Sequence, residues 1–386
     1  MTAMMHDLRS QELLAARAAP KLRGQTVTIS GVSKRYGAVR AVEDVSIEVG
    51  AGEFLSLLGP SGSGKTTLLM MIAGFESANE GSIRVGDRDL TYVPPNERGI
   101  GMVFQKYALF PHMTVAQNIA FPLKMRKLAK AEIAERVRRA LSLVRLDDYD
   151  HRMPSQLSGG QQQRIAVARA TVFEPPVLLM DEPLGALDKK LREQLQLEIK
   201  SLQQRLGVTV IYVTHDQEEA LTMSDRVAVI NNGRLEQIGT PVDLYDRPES
   251  IFVADFIGKM NFLKGEWISS GGENGRVHVG DLGSLPALAP HSGSVVSTAS
   301  RRVRAAIRPE RLQLFKRGHG TEHSLKGIIE SVIFVGSYRT FLVRVGDDLL
   351  QVQTSAAGSG HLDRGDMVEM TCDPTAVKLF PEPPKS

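Results

Sequence analysis

Residues 59–67 are the most constraining feature of the chain. They read Gly-Pro-Ser-Gly-Ser-Gly-Lys-Thr-Thr, which fits the pattern GxxxxGK[ST]. The apolar run at 54–58 before them predicts a buried strand, and the apolar run at 68–72 after them predicts the start of a helix. Glycines let the connecting loop wrap tightly, so that its backbone N–H groups point into one concavity at a helix N-terminus. The segment therefore predicts a phosphate-binding loop on an α/β fold.

The side chains of this loop suit a nucleotide with several phosphates. Lys65 can reach the β- and γ-phosphates of ATP, and the Thr66 hydroxyl can ligate Mg²⁺. A simple Gly/Ser turn between two core elements is the alternative, and the strand and helix patterns on either side disfavour it. The other expected ATP-binding residues are Gly59, Pro60, Ser61, Gly62, Ser63, Gly64 and Thr67.

Length, charge and cysteine content limit the possible classes of protein. The chain has 386 residues, enough for two or three domains, and 47 basic against 44 acidic residues give a net charge of +3. This balance argues against nucleic acid as a partner. The single cysteine, Cys372, excludes an internal disulfide and a cysteine metal site, and it suits a reducing cytoplasm. No run approaches the ~18 apolar residues of a membrane-spanning helix, so we expect any membrane role to be peripheral.

Three regions differ in their hydrophobic pattern. Residues 26–247 alternate strand and helix patterns, which predicts a three-layer α/β domain, and residues 106–156 within it predict a mainly helical subdomain. From 248 to 386, short alternating runs separated by Gly, Ser and Pro clusters predict a small all-β barrel domain. Residues 1–25 show no secretory signal and predict a poorly ordered N-terminal extension.

Two carboxylates follow another apolar strand pattern, at residues 177–180. Ligands bind at the carboxyl ends of strands in open α/β sheets, so Asp181 is expected to hold Mg²⁺ beside Thr66. Glu182 lies one residue further and is expected to face the γ-phosphate and polarise the attacking water. A solvated acidic turn before Pro183 is the alternative.

A second anion-binding pattern begins at Ser158. It continues through Gly159, Gly160 and Gln161 into a helix pattern, so that a hydroxyl, free N–H groups and the helix dipole come together. One ATP does not need two such loops from one chain. We therefore expect two chains to meet head to tail, each loop capping the ATP held by the other chain. An ordinary helix N-cap is the alternative.

With these motifs, residues 26–245 resemble the ATP-binding subunits of ABC transporters. Lys65 and Thr66 match the Walker A positions of that family, Asp181 its Walker B aspartate and Glu182 its catalytic glutamate. Ser158, Gly159, Gly160 and Gln161 match its signature loop, which acts on the ATP of the partner chain.

Four further positions match the family. Gln105 matches the Q-loop glutamine, which senses Mg²⁺ and the γ-phosphate, and His215 matches the switch histidine. Asp188 matches the D-loop aspartate, although Gly185 stands where many relatives have serine. Tyr36 resembles the aromatic residue that stacks on adenine, since stacking needs only a flat π face.

The resemblance also implies the fold, the reaction and the partners. The fold is a P-loop NTPase cassette with a helical subdomain, followed by a small, oligonucleotide-fold-like TOBE domain. The reaction is ATP hydrolysis by water, with Glu182, His215 and Gln105 as catalytic residues and ATP and Mg²⁺ as cofactors. The partners are a second copy of the chain, two transmembrane permease subunits and, indirectly, a periplasmic solute-binding protein. The expected location is the cytoplasmic face of the bacterial inner membrane.

In ABC importers, the region after the Q-loop glutamine receives a short coupling helix of the permease. The resemblance implies that Tyr107, Leu109 and Phe110 help to form this groove. Core packing is the alternative for part of this apolar cluster.

The transported solute is inferred only by resemblance. Residues 256–263 and 108–127 look closest to the spermidine/putrescine branch, while ferric iron, a phosphonate, a sugar or another small solute stays open. Two different classes of protein also stay open: a soluble ABC ATPase of DNA repair or translation, and a purely regulatory ATP-binding module. Soluble ABC ATPases usually carry coiled-coil insertions or two cassettes in one chain, whereas this chain has one cassette and no such insertion. The presence of both Glu182 and His215 favours hydrolysis over a purely regulatory role.

Overall fold

The computed structural model describes residues 24–185, 188–271, 274–289, 302–318, 323–356 and 362–382. Residues 1–23 of the predicted N-terminal extension lie outside these ranges. The chain folds as two units, which meet in the sequence between Pro241 and Val242. Among the described residues, no helix is both long enough and apolar enough to cross a membrane.

The first unit contains strands and helices in alternation. Its strands are β1 (Val27–Tyr36), β2 (Val39–Val49), β3 (Phe54–Leu58), β4 (Glu80–Val85), β5 (Arg88–Asp89), β6 (Gly101–Val103), β7 (Val177–Asp181), β8 (Thr209–Thr214), β9 (Arg226–Asn231) and β10 (Arg234–Gly239). Its helices are α1 (Lys65–Ala73), α2 (Val115–Met125), α3 (Lys130–Leu143), α4 (Gly159–Thr171), α5 (Lys189–Leu206) and α6 (Gln217–Met223).

A mixed sheet in the order β10-β9-β3-β8-β7-β6 forms the centre of this unit. Its strands run parallel except β10, which pairs antiparallel with β9. Every residue of β3, β7 and β8 is buried, which explains why these strands are continuous apolar runs in the sequence. The carboxyl ends of β3, β6, β7 and β8 therefore lie at one edge of the sheet.

Two apolar clusters cover the two faces of the central sheet, because successive residues of a strand point to opposite faces. On one face, Leu55 and Leu57 pack with α1 and with an antiparallel sheet of order β2-β1-β4-β5. On the other face, Phe54 and Tyr212 pack with residues of α4 and α5. This layering confirms the predicted α/β fold.

Helices α2 and α3 pack against α4 in a further apolar cluster. Thr114 begins α2 with a capping box, in which its side chain accepts from the Gln117 backbone while the Gln117 side chain accepts from the Thr114 backbone. Both α2 and α3 lie inside the predicted helical stretch 106–156. Their partner α4 begins later, at Gly159, because Ser158 is its N-cap.

The second unit is mainly β. Its helices are α7 (Pro241–Asp246), which begins at the last residue of the first unit, and α8 (Ile251–Phe256). Its strands are β11 (Asn261–Gly271), β12 (Asn274–His278), β13 (Ser284–Leu288), β14 (Arg302–Ile307), β15 (Leu312–Lys316), β16 (Leu325–Phe334), β17 (Tyr338–Val345), β18 (Asp348–Ser355), β19 (Met367–Cys372) and β20 (Lys378–Pro381).

These strands form two antiparallel sheets, in the orders β13-β12-β11-β14-β20 and β15-β19-β16-β17-β18. Side chains from both sheets, such as Val303 on β14 and Phe341 on β17, share one apolar cluster. The lone cysteine, Cys372, is buried in the same cluster, and burial raises its pKa to about 12. The predicted all-β C-terminal domain is thus confirmed.

Arg98 holds the far end of the helix that begins at the phosphate-binding loop. It is only 4% exposed, and its Nη1 donates to the carbonyls of Met71, at 2.8 Å, and Ile72, at 2.7 Å. Helix α1 then ends at Gly74, with φ of 86°, where an added Cβ would lie 2.3 Å from Nε of Arg98. Because the last carbonyls of a helix lack partners within the helix, Arg98 supplies the donors they need.

Replacing Arg98 with leucine should therefore destabilise the first unit. The buried carbonyls at the end of α1 would lose their donors, at a cost of about 2 kcal/mol in the free energy of unfolding. Urea denaturation followed by circular dichroism measures this. Arg88→Leu is the control, because its exposed guanidinium makes a single 3.3 Å bond to the carbonyl of Glu97. Equal midpoints for the two variants would contradict the capping role.

Candidate nucleotide-binding site

The loop between β3 and α1 requires glycine at defined positions. Gly62 and Gly64 have φ of 78° and 102°, in the left-handed region that side chains disfavour. An added Cβ at Gly64 would lie 2.2 Å from the carbonyl oxygen of Ala41, and one at Gly59 would lie 2.0 Å from that of Ile230. The glycine pattern thus reflects both the backbone conformation and the close approach of neighbouring strands.

Lys65 is the first residue of α1, and its side chain folds back into the loop. Its Nζ donates to the carbonyl oxygens of Gly59 and Pro60, each at 2.8 Å. Burial lowers the pKa of Lys65, and the nearby charges of Glu182 and Asp181 oppose that shift. An ammonium group held in this position can contact phosphate oxygens bound by the loop.

The next residue, Thr66, connects the loop to strand β7. Its Oγ1 donates to Oδ1 of Asp181 at 3.1 Å. Burial raises the pKa of Asp181, while the bond from Thr66 lowers it. A hydroxyl and a carboxylate this close are suitable oxygen ligands for Mg²⁺, which normally takes one or two protein ligands together with water and substrate phosphates. The described residues contain no cluster of three or more His, Cys, Asp and Glu that could hold a metal alone.

Glu182 contacts two of the other predicted site residues. Its Oε2 accepts a hydrogen bond from Nε2 of Gln105 at 3.3 Å and lies 3.1 Å from Nδ1 of His215. Gln105 follows β6 and His215 follows β8, so both reach Glu182 from the two strands that flank β7. Glu182 itself has φ of 41°, a left-handed conformation that is rare outside glycine, and its N–H donates to the carbonyl of Val213 at 3.0 Å. The turn after β7 thus aims this carboxylate at its neighbours.

Tyr36 lies at the end of β1 and is 46% exposed. Nζ of Lys34 is 5.0 Å from its ring centroid, and Lys34 pairs with Glu76 at 2.8 Å. Burial and then the charge of Glu76 raise the pKa of Tyr36, while Lys34 and a hydrogen bond with Thr67 lower it. Since Thr67 lies in the first turn of α1, an accessible aromatic ring is present close to the phosphate-binding loop.

The signature residues lie at the start of α4. The Ser158 side chain accepts from the backbone N–H of Gln161 at 3.3 Å, and the Gln161 side chain accepts from the backbone N–H of Ser158 at 2.9 Å. Ser158 and Gly159 are exposed, whereas Gly160 is buried. Within the described ranges, no hydrogen bond or ion pair joins this loop to residues 59–67 of the same chain.

The D-loop aspartate begins the next helix. Oδ1 of Asp188 accepts from the backbone N–H of Leu191 at 3.0 Å, as an N-cap of α5. An added Cβ on Gly160 would lie 3.2 Å from Cδ2 of Leu191, so α4 and α5 approach closely at their N-terminal ends. Residues 186 and 187, between Gly185 and Asp188, lie outside the described residues.

The three residues predicted to contact the permease differ in position. Tyr107 is only 8% exposed, and its ring belongs to the apolar cluster beneath the central sheet, so its side chain does not lie on the surface. The core-packing alternative therefore applies to this residue, whose backbone has φ of 57°. Leu109 is half-buried, and Phe110 packs against Phe121 with ring centroids 4.7 Å apart.

Arg169 is a neighbour of this segment that the sequence motifs do not identify. Tyr107 and the following residue, Ala108, both have positive φ. Arg169 on α4 donates to the carbonyl of Tyr107 at 2.9 Å and to that of Ala108 at 2.8 Å, and it lies over the ring of Phe110. Because two adjacent left-handed residues are unfavourable, these bonds stabilise the chain just after Gln105.

A second unexpected group lies beside His215. Nη1 of Arg192, on α5, donates to Oδ2 of Asp216 at 2.9 Å. Tyr212 and Thr214 each donate a 2.8 Å hydrogen bond to the buried carboxylate of Glu219, whose pKa is raised by burial. The sequence could have identified Asp216 as the N-cap of α6. It could not have identified Arg192 as its partner, because Arg192 lies on α5, 24 residues earlier in the chain.

These contacts define a class of protein: a nucleotide-binding ATPase of the phosphate-loop type, with a loop lysine, a Thr–Asp pair and an oriented glutamate at one sheet edge. A family model described as ABC transporter matches residues 42–185, and one described as TOBE domain matches residues 305–380.

Curated proteins named spermidine/putrescine import ATP-binding protein PotA are similar over most of the chain. The one from Rubrobacter xylanophilus is 49% identical and covers 84% of this chain and 85% of its own. The one from Pseudomonas fluorescens is 47% identical, and the match covers 93% of this chain and 98% of that protein. A solved dimeric ATP-binding cassette with ADP and Pi is 32% identical, with a TM-score of 0.50 over 56% of this chain and 98% of that one. The chain belongs to the ABC transporter family.

Family membership confirms the resemblance inferred from the motifs, and with it the binding of ATP. The roles of individual site residues stay predictions, and the geometry described above brings Lys65, Thr66, Asp181, Glu182, Gln105 and His215 together.

Arg169→Gln should slow ATP hydrolysis without weakening ATP binding. The substitution removes two charge-assisted donors from the segment after Gln105, and we expect kcat to fall about tenfold, which corresponds to ~1.4 kcal/mol. Steady-state kinetics should show an unchanged KM for ATP. Arg164→Gln is the matched control on the same helix, because Arg164 pairs with Glu198 and not with this segment. Equal losses of kcat in both variants would mean that Arg169 has only a structural role.

Proposed function

We propose that this chain is the ATP-hydrolysing subunit of an importer for the polyamines spermidine and putrescine. The observation that carries the catalytic part is the position of Glu182, whose carboxylate contacts both Gln105 and His215 at the sheet edge that bears Lys65 and the Thr66–Asp181 pair. The name shared by the similar proteins supports the polyamine part.

The reaction is an in-line attack of water on the γ-phosphate. The N–H groups of the loop and Lys65 bind the phosphates, and Tyr36 stacks on the adenine. Glu182 accepts a hydrogen bond from the attacking water and polarises it. Gln105 and His215 keep that carboxylate oriented, and His215 also offsets negative charge that develops on the phosphoryl oxygens.

Mg²⁺ completes the proposed site. Thr66 and Asp181 would hold the ion, with Gln105 as a further oxygen ligand, and the ion would supply positive charge to the β- and γ-phosphates. This donor set fits because its oxygens are hard ligands and few in number, which matches the preference of Mg²⁺ for phosphate and water as its remaining ligands.

A second copy of the chain completes each nucleotide site. Ser158 is exposed, and its hydroxyl oxygen accepts from the backbone N–H of Gln161 as the N-cap of α4. The backbone N–H groups of the first turn point out of the N-terminal end of the helix, where an anion can bind. In the proposed head-to-tail dimer they bind the γ-phosphate held by the partner. ATP then closes the dimer and hydrolysis releases it, which is a ligand-controlled switch. The solved cassette with ADP and Pi is itself dimeric.

Closure of the dimer moves two permease subunits, which the chain contacts at the cytoplasmic face of the inner membrane. Leu109 and Phe110, the half-buried members of the predicted groove, contact the permease, and Tyr107 supports them from the core. A periplasmic solute-binding protein delivers the solute from the other side.

Glu182→Gln should abolish turnover while keeping ATP bound. The amide cannot accept a proton, so the hydrolysis rate should fall by at least ~100-fold. The variant should bind ATP with wild-type affinity and stay dimeric in its presence, as shown by light scattering. Glu218→Gln is the matched control, an exposed carboxylate on α6 that lies three residues after His215. Wild-type turnover by Glu182→Gln would overturn the assignment of the base.

Uptake of labelled solutes tests the transport function. Cells that lack the gene would be complemented with wild type or with Glu182→Gln and supplied with spermidine, putrescine, ferric iron or a phosphonate. We expect polyamine uptake with wild type only. If wild type restores the uptake of another solute, the ATPase role stands and the polyamine assignment is wrong. If no solute's uptake depends on the gene, a non-transport ABC ATPase is favoured.

The variant Phe110→Asp tests the proposed permease groove. Cells that carry it should lose polyamine uptake, while the purified variant keeps the wild-type ATPase rate. Unchanged uptake would contradict the assignment of Phe110 to the groove.

A further inference from the structure

The second unit contains a cavity of about 330 Å³ outside the nucleotide site. Helix α7, the turn between β14 and β15, and the turn before β20 form its walls. Its volume lies at the lower end of the range for pockets that hold small ligands. The apolar part of the lining comes from Val242, Met260 and Ala376.

The charged part of the lining is mostly cationic. Four cations and one carboxylate line the cavity, a formal difference of 4 − 1 = +3. The carboxylate, Asp246, lies 3.6 Å from Arg311. The cations are Arg247, Arg308, Arg311 and Lys378.

Two further carboxylates flank the cavity, and each has a partner of its own. Asp243 is paired with Arg247 one turn away on the chain. Glu310 accepts a 2.5 Å hydrogen bond from the hydroxyl of Tyr245. Among the described residues, no carboxylate forms an ion pair with Arg308 or Lys378. Burial lowers the pKa of Arg308, and the charges of Glu310 and Asp246 oppose that shift from beyond ion-pair distance.

Arg308 is the most unusual of these cations. It is only 4% exposed, and its two terminal nitrogens donate to carbonyl oxygens, including that of Lys259 at 3.1 Å and that of Tyr245 at 3.0 Å. Its guanidinium lies 4.0 Å from the centroid of the Tyr245 ring. Its Nε is buried without a hydrogen-bond partner. A buried guanidinium is costly unless a negative charge compensates it, and carbonyl dipoles do so only in part.

Lys378 adds a second, half-buried cation to the same cavity. Its Nζ donates to the carbonyl of Thr375 at 3.0 Å. Burial lowers the pKa of Lys378; the charge of Asp246 opposes this, and Arg247 and Arg311 lower the pKa further. Bringing an anion into the cavity would relieve this repulsion.

We propose that this cavity binds the phosphate group of a small phosphorylated ligand. The two positive charges of Arg308 and Lys378 match a phosphate dianion. Arg308 contributes its charge, because its terminal nitrogens already donate to backbone carbonyls, and Lys378 and Arg311 would donate charge-assisted hydrogen bonds to the phosphate oxygens. The apolar wall accommodates a short organic group esterified to the phosphate. The site is independent of the ATP-binding loop, since all its lining residues belong to the second unit.

Calorimetric titration of the full-length protein tests the proposal. The titrations use the Lys65→Ala background, which weakens phosphate binding at the nucleotide site, with inorganic phosphate or glycerol 3-phosphate as the probe. We expect one saturable site per chain. Lys378→Gln should weaken it about tenfold by removing a charged donor, and Arg311→Gln should do the same by also releasing Asp246 toward the cavity. Lys316→Gln, an exposed cation on β15, is the matched control and should bind as the parent does.

The two probes distinguish the source of the phosphate. Tighter binding of glycerol 3-phosphate assigns the cavity to a phosphorylated metabolite, and equal binding assigns it to free phosphate; both support the proposal. Thermal melts must show that the variants are folded. Absence of binding, equal losses in Lys316→Gln and Lys378→Gln, or equally tight binding of acetate would overturn it.

Discussion

The hydrogen bond between Thr66 and Asp181 is the contact on which the nucleotide site depends. It joins the first turn of α1 to the carboxyl end of β7, and so connects the phosphate-binding loop to the strand that supplies both carboxylates. The contact is possible only because β3 and β7 run parallel on either side of β8, which brings their carboxyl ends to one edge. The buried, continuously apolar strands hold this register, since a slip by one residue would exchange their two faces.

Much of this site could be predicted because its chemistry depends on local sequence. The glycines of the loop, Lys65 and Thr66 are adjacent, and the strand before Asp181 is a clear apolar run. The α/β fold and the β-rich C-terminal unit follow from periodicity alone. Tyr107 shows where this reasoning fails: an aromatic residue beside the predicted Q-loop glutamine can lie on either side of the chain, and only the folded structure shows that this ring packs in the core.

The features that could not be predicted depend on contacts distant in sequence. Arg98 donates to carbonyls at the end of α1 that lie 26 and 27 residues earlier in the sequence. Arg169 donates to carbonyls after Gln105 that lie more than 60 residues earlier. Neither arginine belongs to a motif. The left-handed conformation of Glu182 is likewise invisible in the sequence, because glutamate rarely adopts it without support from its surroundings.

Helix α4 relates these contacts to the proposed dimer. Ser158 caps one end of the helix and Arg169 lies near the other, eleven residues further, which is about 16 Å at 1.5 Å per residue. Because α4 packs on α2, α3 and the central sheet, we expect a displacement at one end of the helix to be transmitted to the other. In the proposed dimer, engagement of the partner's ATP at Ser158 therefore acts through Arg169 on the segment that carries Gln105 and Phe110. A single helix would thus connect the partner's nucleotide both to the proposed site of hydrolysis and to the surface that we propose to face the permease.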